Sequence, residues 1–242
     1  MITDSYNSKS DLVSHYKIPE EKVSVVYLGC DHANFNSVPG DPEMLHALRQ
    51  KLGITRPYVI HHGVIKSYKN LKRLIQACRM VLERNPNLDF DLVLAGPLGW
   101  DYDEILAEAK SCEGSRAKVI FTHALSNTDL ATLIKGATLA AIPSLYEGFC
   151  LPLVESMACG TPVIAANSSC LPEVSGNALR YFDPHSVEAI ASGIEEALDS
   201  ETLRKELSGK GIARAREFSW QRCAEQTLEI LVRSATEVKN GR

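Results

Sequence analysis

Two glutamates, Glu147 and Glu155, bracket a short stretch whose residue types suit ligand binding. Seven residues separate them, and the stretch reads EGFCLPLVE. Pro152 fits the first turn of a helix, because its fixed φ matches that turn and its missing N–H is not needed there. Free N–H groups at a helix start bind anions, whereas a carboxylate accepts hydrogen bonds from sugar hydroxyls. The stretch therefore predicts a ligand that carries both a phosphate and a polyol.

A second group with suitable chemistry comes earlier in the chain. An apolar run ends at Gly63, and Lys69 and Asn70 then open a helical pattern. Glycine lets the backbone approach a phosphate closely. A lysine at a helix start is poorly placed against the helix dipole unless it serves an anionic ligand. We therefore expect Lys69 to face an anion.

Alternating apolar runs and helical patterns must position these groups. The runs lack polar alternation, which suits strands buried on both faces. They cover residues 58–62, 91–95, 118–122, 139–142, 162–166 and 179–182. The alternation predicts an α/β fold with a Rossmann-like parallel sheet and helices on both faces. Ligands of such sheets bind at the carboxyl ends of the strands, where residues 144–151 lie.

The helical patterns are clearest around residues 70–83 and 187–198, each with one apolar face. The helix that begins near Pro152 should stop at Gly160, a natural left-handed cap. Residues 200–238 predict two further helices, the second capped by Ser219.

Composition excludes several classes of function. The chain has 242 residues, 45% of them hydrophobic, and a net charge of −4 without a dense basic run, so nucleic acid is not an expected partner. No apolar run reaches membrane-spanning length and the N-terminus lacks signal-peptide features. The seven cysteines form no C-x2-C pair, which favours reduced thiols and a cytoplasmic location.

Two Asp-X-Asp triplets, at residues 89–91 and 101–103, have the residue types that hold a metal ion. The first opens a strand at the end of the sheet opposite the expected site. The second precedes a helical pattern and suits capping and helix-dipole interactions. We therefore expect no metal site and no cofactor.

The EGFCLPLVE stretch, followed by SMACGTPVIA, closely resembles the E-x7-E signature of retaining glycosyltransferases of the GT-B fold, family 4. The resemblance extends to the N-terminus, where TDSYNSKSDL and VSVVYLGCDHANF resemble the segment that leads from the N-terminal into the C-terminal domain. It implies a remnant of the N-terminal domain at 1–37, a linker at 38–56, a nucleotide-sugar donor domain at 57–218 and a crossover helix at 219–242. The rest of the N-terminal domain would then be a missing partner.

The resemblance also implies roles for individual residues. Lys69 would neutralise the donor diphosphate, Glu147 would face the hexose hydroxyls and Glu155 would hold the ribose. The donor would be a UDP- or GDP-sugar, bound as a substrate and without a metal. The remaining implied donor contacts are Gly63, Gly96, Leu125, Gly148, Phe149, Cys150 and Leu151.

The sequence departs from the family at the diphosphate site. Many members carry an arginine after the glycine or before the lysine, where this chain has Val64 and Tyr68. Lys66 is a possible substitute. Two alternatives therefore stay open beside the transferase: a non-catalytic nucleotide-sugar-binding subunit and a GT-B nucleotide-sugar epimerase.

Overall fold

A computed structural model of the protein describes the backbone of residues 1–240 and the side chains of residues 1–236. Three strands coincide with the predicted ones residue for residue, and the other three predicted strands differ by one residue at one end. The strands are β1 (Ile2–Thr3), β2 (Ser24–Val25), β3 (Tyr58–His62), β4 (Asp91–Ala95), β5 (Lys118–His123), β6 (Leu139–Ile142), β7 (Val163–Ala166) and β8 (Arg180–Phe182).

Strands β3 to β8 form one parallel sheet in the order β5-β4-β3-β6-β7-β8. This is the strand order of a Rossmann-like fold. The chain adds strands on one side of β3 up to β5, and then returns to add β6, β7 and β8 on the other side, so the order switches between β3 and β6. Every residue of β3, β4, β6 and β7 is buried. Helices therefore cover both faces, and the predicted fold class is confirmed.

The helices fill the positions between the strands, as the apolar periodicities predict. Helix α3 packs against α4 and α8, α6 packs against α9, and α2 packs against α5. Their bounds are α1 (Tyr6–Tyr16), α2 (Pro42–Leu52), α3 (Leu71–Arg84), α4 (Asp103–Ser111), α5 (Asn127–Gly136), α6 (Leu151–Ala158), α7 (Leu171–Ser175), α8 (Val187–Asp199), α9 (Glu201–Ala215) and α10 (Trp220–Asn240).

The segment predicted as a linker, residues 38–56, contains helix α2. The side chain of Asp41 accepts a hydrogen bond from the N–H of Glu43, and Pro42 occupies the first turn. Gly53 ends the helix with a left-handed φ of 70°. The helix lies so close to α5 that a Cβ at Gly136 would be 2.6 Å from the Leu45 side chain. The residues that form these caps are visible in the sequence.

The N-terminal segment packs against the start of α10. Residues 28–30 pass so close to the start of α10 that a Cβ at Gly29 would lie 2.1 Å from the Trp220 nitrogen. Helix α10 begins as predicted, with the Ser219 hydroxyl accepting from the Arg222 N–H. Residues 241–242 of the predicted crossover helix lie outside the described residues, and the division into domains stays a prediction. Among the described residues, no helix is both long and apolar enough to cross a bilayer.

Candidate active site

The loops that follow β3, β4, β5 and β6 leave the same edge of the sheet, because the strands are parallel. Together with helix α6, these loops contain all the residues that the sequence analysis assigns to the site. They form two neighbouring groups, one around Lys69 and Glu147 and the other around Glu155.

Lys69 and Glu147 form a buried ion pair, with the lysine Nζ 2.5 Å from the glutamate Oε1. The two residues are only 6% and 8% exposed. Burial lowers the pKa of Lys69, but the Cys150 thiol and the Glu147 carboxylate outweigh it and raise that pKa overall. Burial raises the pKa of the Cys150 thiol well above its usual value, and the group within hydrogen-bond distance of the ammonium is the Glu147 carboxylate. The pair is therefore an ammonium beside a carboxylate.

The backbone around this pair is held by side chains that the sequence analysis missed. Asn70, with a left-handed φ of 59°, donates from its amide to the carbonyls of Pro143 and Pro184. The Glu147 N–H donates to the Ser169 hydroxyl at 3.0 Å. These bonds join the loops after β3, β6, β7 and β8. Their only sequence signal was the Lys-Asn dipeptide, which says nothing about the bonding partner.

The start of α6 follows directly after Glu147. Cys150 precedes the helix with a left-handed φ of 71°, a conformation that glycine adopts more readily than a residue with a side chain. In the first turn of α6, Pro152 has no N–H and the Leu153 N–H donates to the Cys150 carbonyl, so the Leu151 N–H is the one without an acceptor four residues back in the helix. The Phe149 ring is buried and packs against Tyr27 and Phe218 at centroid distances of 5.9 and 5.4 Å. Phe149 can therefore offer a ligand only its backbone.

Gly148 lies close to the N-terminal segment. A Cβ at this position would be 2.9 Å from a carboxylate oxygen of Asp4. A side chain here would therefore displace either the loop or the residues after β1.

A cavity of about 240 Å³ opens beside the first turn of α6. It brings together four predicted residues, because Gly63, Gly96, Leu125 and Glu155 all line it. Gly96 approaches the neighbouring loop so closely that a Cβ would lie 2.0 Å from the Gly63 carbonyl oxygen. Both glycines also have positive φ values, 122° and 147°. The close approach of these two loops therefore requires glycine at Gly96.

The Glu155 carboxylate lies near two other polar side chains, His62 and Asp31, which belong to different parts of the fold. Its Oε2 lies 3.5 Å from Nδ1 of His62, the last residue of β3. Burial, together with the negative charge of Asp31 on the N-terminal segment, raises the pKa of Glu155 to about 7. Burial and the nearby Lys69 lower the pKa of His62 to about 4. At neutral pH His62 is therefore neutral, and the contact is not an ion pair between full charges.

Lys66, the possible substitute for the family's arginine, lies against an aromatic side chain. The Lys66 Nζ is 3.3 Å from the centre of the exposed Trp100 ring and 5.7 Å from that of Tyr68. Val64 is at the cavity wall and is 38% exposed. In this conformation Lys66 is engaged by an aromatic ring instead of reaching toward Lys69.

The aspartates of the two Asp-X-Asp triplets have different surroundings in the fold. Asp91 is fully buried at the amino end of β4, and it accepts from the Arg56 guanidinium and from backbone N–H groups of residues 55 and 56. Asp89 binds the same guanidinium at 2.6 Å. The predicted capping role of the second triplet is wrong, because Tyr102 is the N-cap of α4 and no side chain caps it. Asp103 lies in the first turn, where its charge favours the helix dipole.

Comparison with known proteins identifies the family of the chain. Residues 46–214 match the family described as Glycosyl transferases group 1. The chain is 31% identical over 231 residues to the O-antigen chain mannosyltransferase B of Escherichia coli, which covers 94% of this chain and 59% of that protein. It is 32% identical over 245 residues to the MMP alpha-(1->4)-mannosyltransferase of Mycolicibacterium hassiacum, which covers 98% of this chain and 55% of that protein.

Solved structures agree in fold. A glycosyltransferase from Rickettsia africae superposes with a TM-score of 0.84 at 21% identity, over 95% of this chain and 62% of that one. The Anabaena protein Alr3699/HepE, in complex with UDP and glucose, gives a TM-score of 0.81 at 21% identity, over 96% of this chain and 62% of that one.

The architecture is thus that of the GT-B glycosyltransferases. The chain belongs to the glycosyl transferases group 1 family. It spans less than two thirds of the length of the relatives named here.

Proposed function

We propose that this chain is the donor-binding part of a retaining hexosyltransferase of family 4 that uses a UDP- or GDP-sugar. The observation that carries the proposal is the buried Lys69–Glu147 pair, which lies in the loops beside the start of α6 and near the Glu155 cavity. One cation, a cluster of N–H groups and two carboxylates match a diphosphate flanked by two polyols. The E-x7-E assignment rests on this match and on the sequence resemblance.

Each residue takes a role in this proposal. The Lys69 ammonium has three donors, so it can bind a phosphate oxygen while it keeps Glu147 in place. Glu147 accepts from hexose hydroxyls near the anomeric carbon, and Glu155 accepts from the ribose. Leu125 lines the base end of the cavity, and Gly63 and Gly96 let the loops approach the ligand. The N–H groups from Gly148 to Leu151 face the phosphates.

The reaction would follow from this arrangement. As the nucleoside diphosphate leaves, negative charge develops on its phosphates, and Lys69 with the backbone amides from Gly148 to Leu151 stabilises that charge. The acceptor hydroxyl then attacks the oxocarbenium-like centre from the face that the leaving group occupied and gives its proton to an oxygen of the departing diphosphate, which retains the configuration. The positive field comes from the protein itself, so we propose that no metal is required.

The sugar and the missing half are parts of the same proposal. Because two relatives are named mannosyltransferases, mannose is the first hexose to test. Because the chain spans 59% of the E. coli relative, we propose that a further N-terminal domain supplies most of the acceptor site.

A second candidate function has one observation in its favour. Val64 stands at the cavity wall where many members of the family have an arginine, and Lys66 is stacked on Trp100. A weakened diphosphate clamp would suit a subunit that binds a nucleotide sugar without transferring it.

Binding and transfer can be tested separately. UDP, GDP and ADP, and then their mannose and glucose derivatives, are titrated into the chain, and the melting temperature and the heat of binding are recorded. We expect a thermal shift with UDP or GDP. No heat and no shift with any nucleoside diphosphate would contradict the proposal. Adding candidate acceptors, with and without the N-terminal half of a relative, then distinguishes a transferase from a binding subunit.

A further inference from the structure

Three polar side chains from two elements form a short chain that ends at Glu155. The Ser156 hydroxyl lies 3.0 Å from Nε2 of His62, and Nδ1 of His62 lies 3.5 Å from Oε2 of Glu155. Ser156 is fully buried and His62 is 1% exposed, whereas the Glu155 side chain keeps 20% of its surface. The imidazole therefore connects a sealed interior hydroxyl to a carboxylate at a cavity wall.

The Ser156 and Glu155 contacts of the ring favour one position for its proton. Neutral imidazole has one N–H and one acceptor nitrogen. An ionised Glu155 has only lone pairs to offer, so an unprotonated Nδ1 would face it with a second lone pair. The Ser156 hydroxyl can donate, so Nε2 can serve as the acceptor. When Glu155 is ionised, the arrangement consistent with both contacts is Ser156 O–H to Nε2, and Nδ1–H toward Glu155.

The location of this ring sets it apart from ordinary packing. His62 is the last residue of β3, immediately before Gly63 at the cavity wall, while Glu155 and Ser156 are on α6. A buried imidazole has a desolvation cost that an aliphatic residue would avoid. Its two ring nitrogens both face polar atoms of α6, so it sets the position of this helix's carboxylate relative to the sheet.

We propose that His62 is a positioning residue that holds the Glu155 carboxylate in the orientation needed for a ribose. This inference rests on the proposed function, in which Glu155 accepts from the ribose hydroxyls. It adds that selectivity for ribonucleotides over nucleotides without these hydroxyls depends on His62 as well as on Glu155.

The test uses two isosteric replacements, His62→Asn and His62→Leu. Asparagine carries an amide nitrogen close to the position of Nδ1, and leucine has the same shape without a donor. The affinity of each variant is measured for GDP, UDP and their 2′,3′-dideoxy analogues. Ile60→Val, a buried change two residues earlier on β3, controls for general loosening of the strand.

The expected pattern is specific to the ribose. His62→Leu should lose about tenfold in ribonucleotide affinity, the size of one charge-assisted hydrogen bond, and should bind the dideoxy analogues as the parent does. His62→Asn should restore most of the loss. In a Glu155→Ala background His62→Leu should cost nothing further, because coupled residues are not additive.

Other outcomes would overturn the inference. Equal losses for ribose and dideoxy ligands, or no loss at all, would mean that His62 only packs. A parent chain that binds no nucleoside diphosphate would refute the proposed function itself. If His62→Leu does not fold, 15N NMR of the parent still decides: the His62 signal, assigned by its disappearance in His62→Asn, should show a protonated Nδ1. A protonated Nε2 would contradict the arrangement.

Discussion

Breaking the Lys69–Glu147 pair from one side should destabilise the protein strongly. Lys69→Met removes the cation and leaves the Glu147 carboxylate 8% exposed without its 2.5 Å partner. Removal of one member of a buried pair costs roughly 3–5 kcal/mol. Because the pair lies at an open edge of the sheet, we expect the lower value, about 3 kcal/mol. In a chain of this size that corresponds to a fall of about 6–12 °C in the melting temperature.

Removing both charges should reverse the loss of stability without restoring binding. In Lys69→Met/Glu147→Leu two apolar groups of similar volume replace the pair, a change that is often neutral or stabilising. Urea unfolding measures the stabilities, and calorimetry measures the affinity for UDP or GDP. We expect the double variant to unfold close to the parent and neither variant to bind the nucleotide well. This pattern would separate the structural role of the pair from its role toward the ligand.

The solvent-exposed Lys72–Glu104 pair provides a matched control. Its atoms are 2.9 Å apart, but the side chains are 46% and 79% exposed. Lys72→Met should leave stability and binding almost unchanged, because surface ion pairs contribute little. If Lys69→Met were as stable as the parent, or if the double variant were less stable than the single one, the reasoning about the buried pair would be wrong.

Four further predictions concern the rest of the site. Glu155→Ala should weaken nucleoside diphosphate binding about 10–100-fold by calorimetry; unchanged affinity would place the ribose elsewhere. Because the pKa of Glu155 is raised to about 7 in the folded protein, this carboxyl group ionises at a higher pH there than in the unfolded chain. The stability contribution of this group should therefore fall as pH rises from about 4.5 to 7, whereas nucleotide affinity should rise through pH 7; a flat affinity profile between pH 6 and 8 would contradict this. Binding should be the same in chelator and in magnesium or manganese, and a tenfold gain with metal would refute the metal-independent proposal. Cys150→Gly should be about 1 kcal/mol more stable than Cys150→Ala, because only alanine keeps the left-handed strain; equal stability would show that the strain is absent.

The central sheet was predictable because burial on both faces leaves a simple pattern. Residues 58–62 and 139–142 are apolar or buried throughout, so each run had little freedom to be anything but an interior strand. Helix α2 was less visible, because only Leu48 of its eleven residues is buried and the apolar stripe is correspondingly weak. Its signals lay in the caps at Asp41 and Gly53, which act locally and need no core.

The candidate site was predictable only where a residue type that can bind a ligand stands next to a local sequence signal. Lys69, Glu147 and Glu155 stand beside glycines or a helix start, so their surroundings are visible in the sequence. The contacts of His62 with Ser156 and of Asn70 with Pro184 join residues 94 and 114 positions apart. Such pairs depend on the order of strands in the sheet, which a single sequence does not contain.

The loop that carries Glu147 is also held from outside the sheet, by the N-terminal segment and by the residues just before α10. Phe149 packs edge-on to Phe218 and is tilted against Tyr27, and Tyr27 in turn packs on Tyr6 near the N-terminus. The backbone N–H groups of Tyr6 and Asn7 donate to the Glu173 carboxylate on α7, and the Arg214 guanidinium donates to the carbonyls of Glu173 and Val174. Phe149 is two residues from Glu147 and adjacent to the strained Cys150. A displacement of Tyr27 or Phe218 would open a void beneath Phe149, which the close-packed interior resists. The position of Glu147 therefore depends on the N-terminal segment and on the residues before α10, as well as on the sheet edge from which its loop emerges.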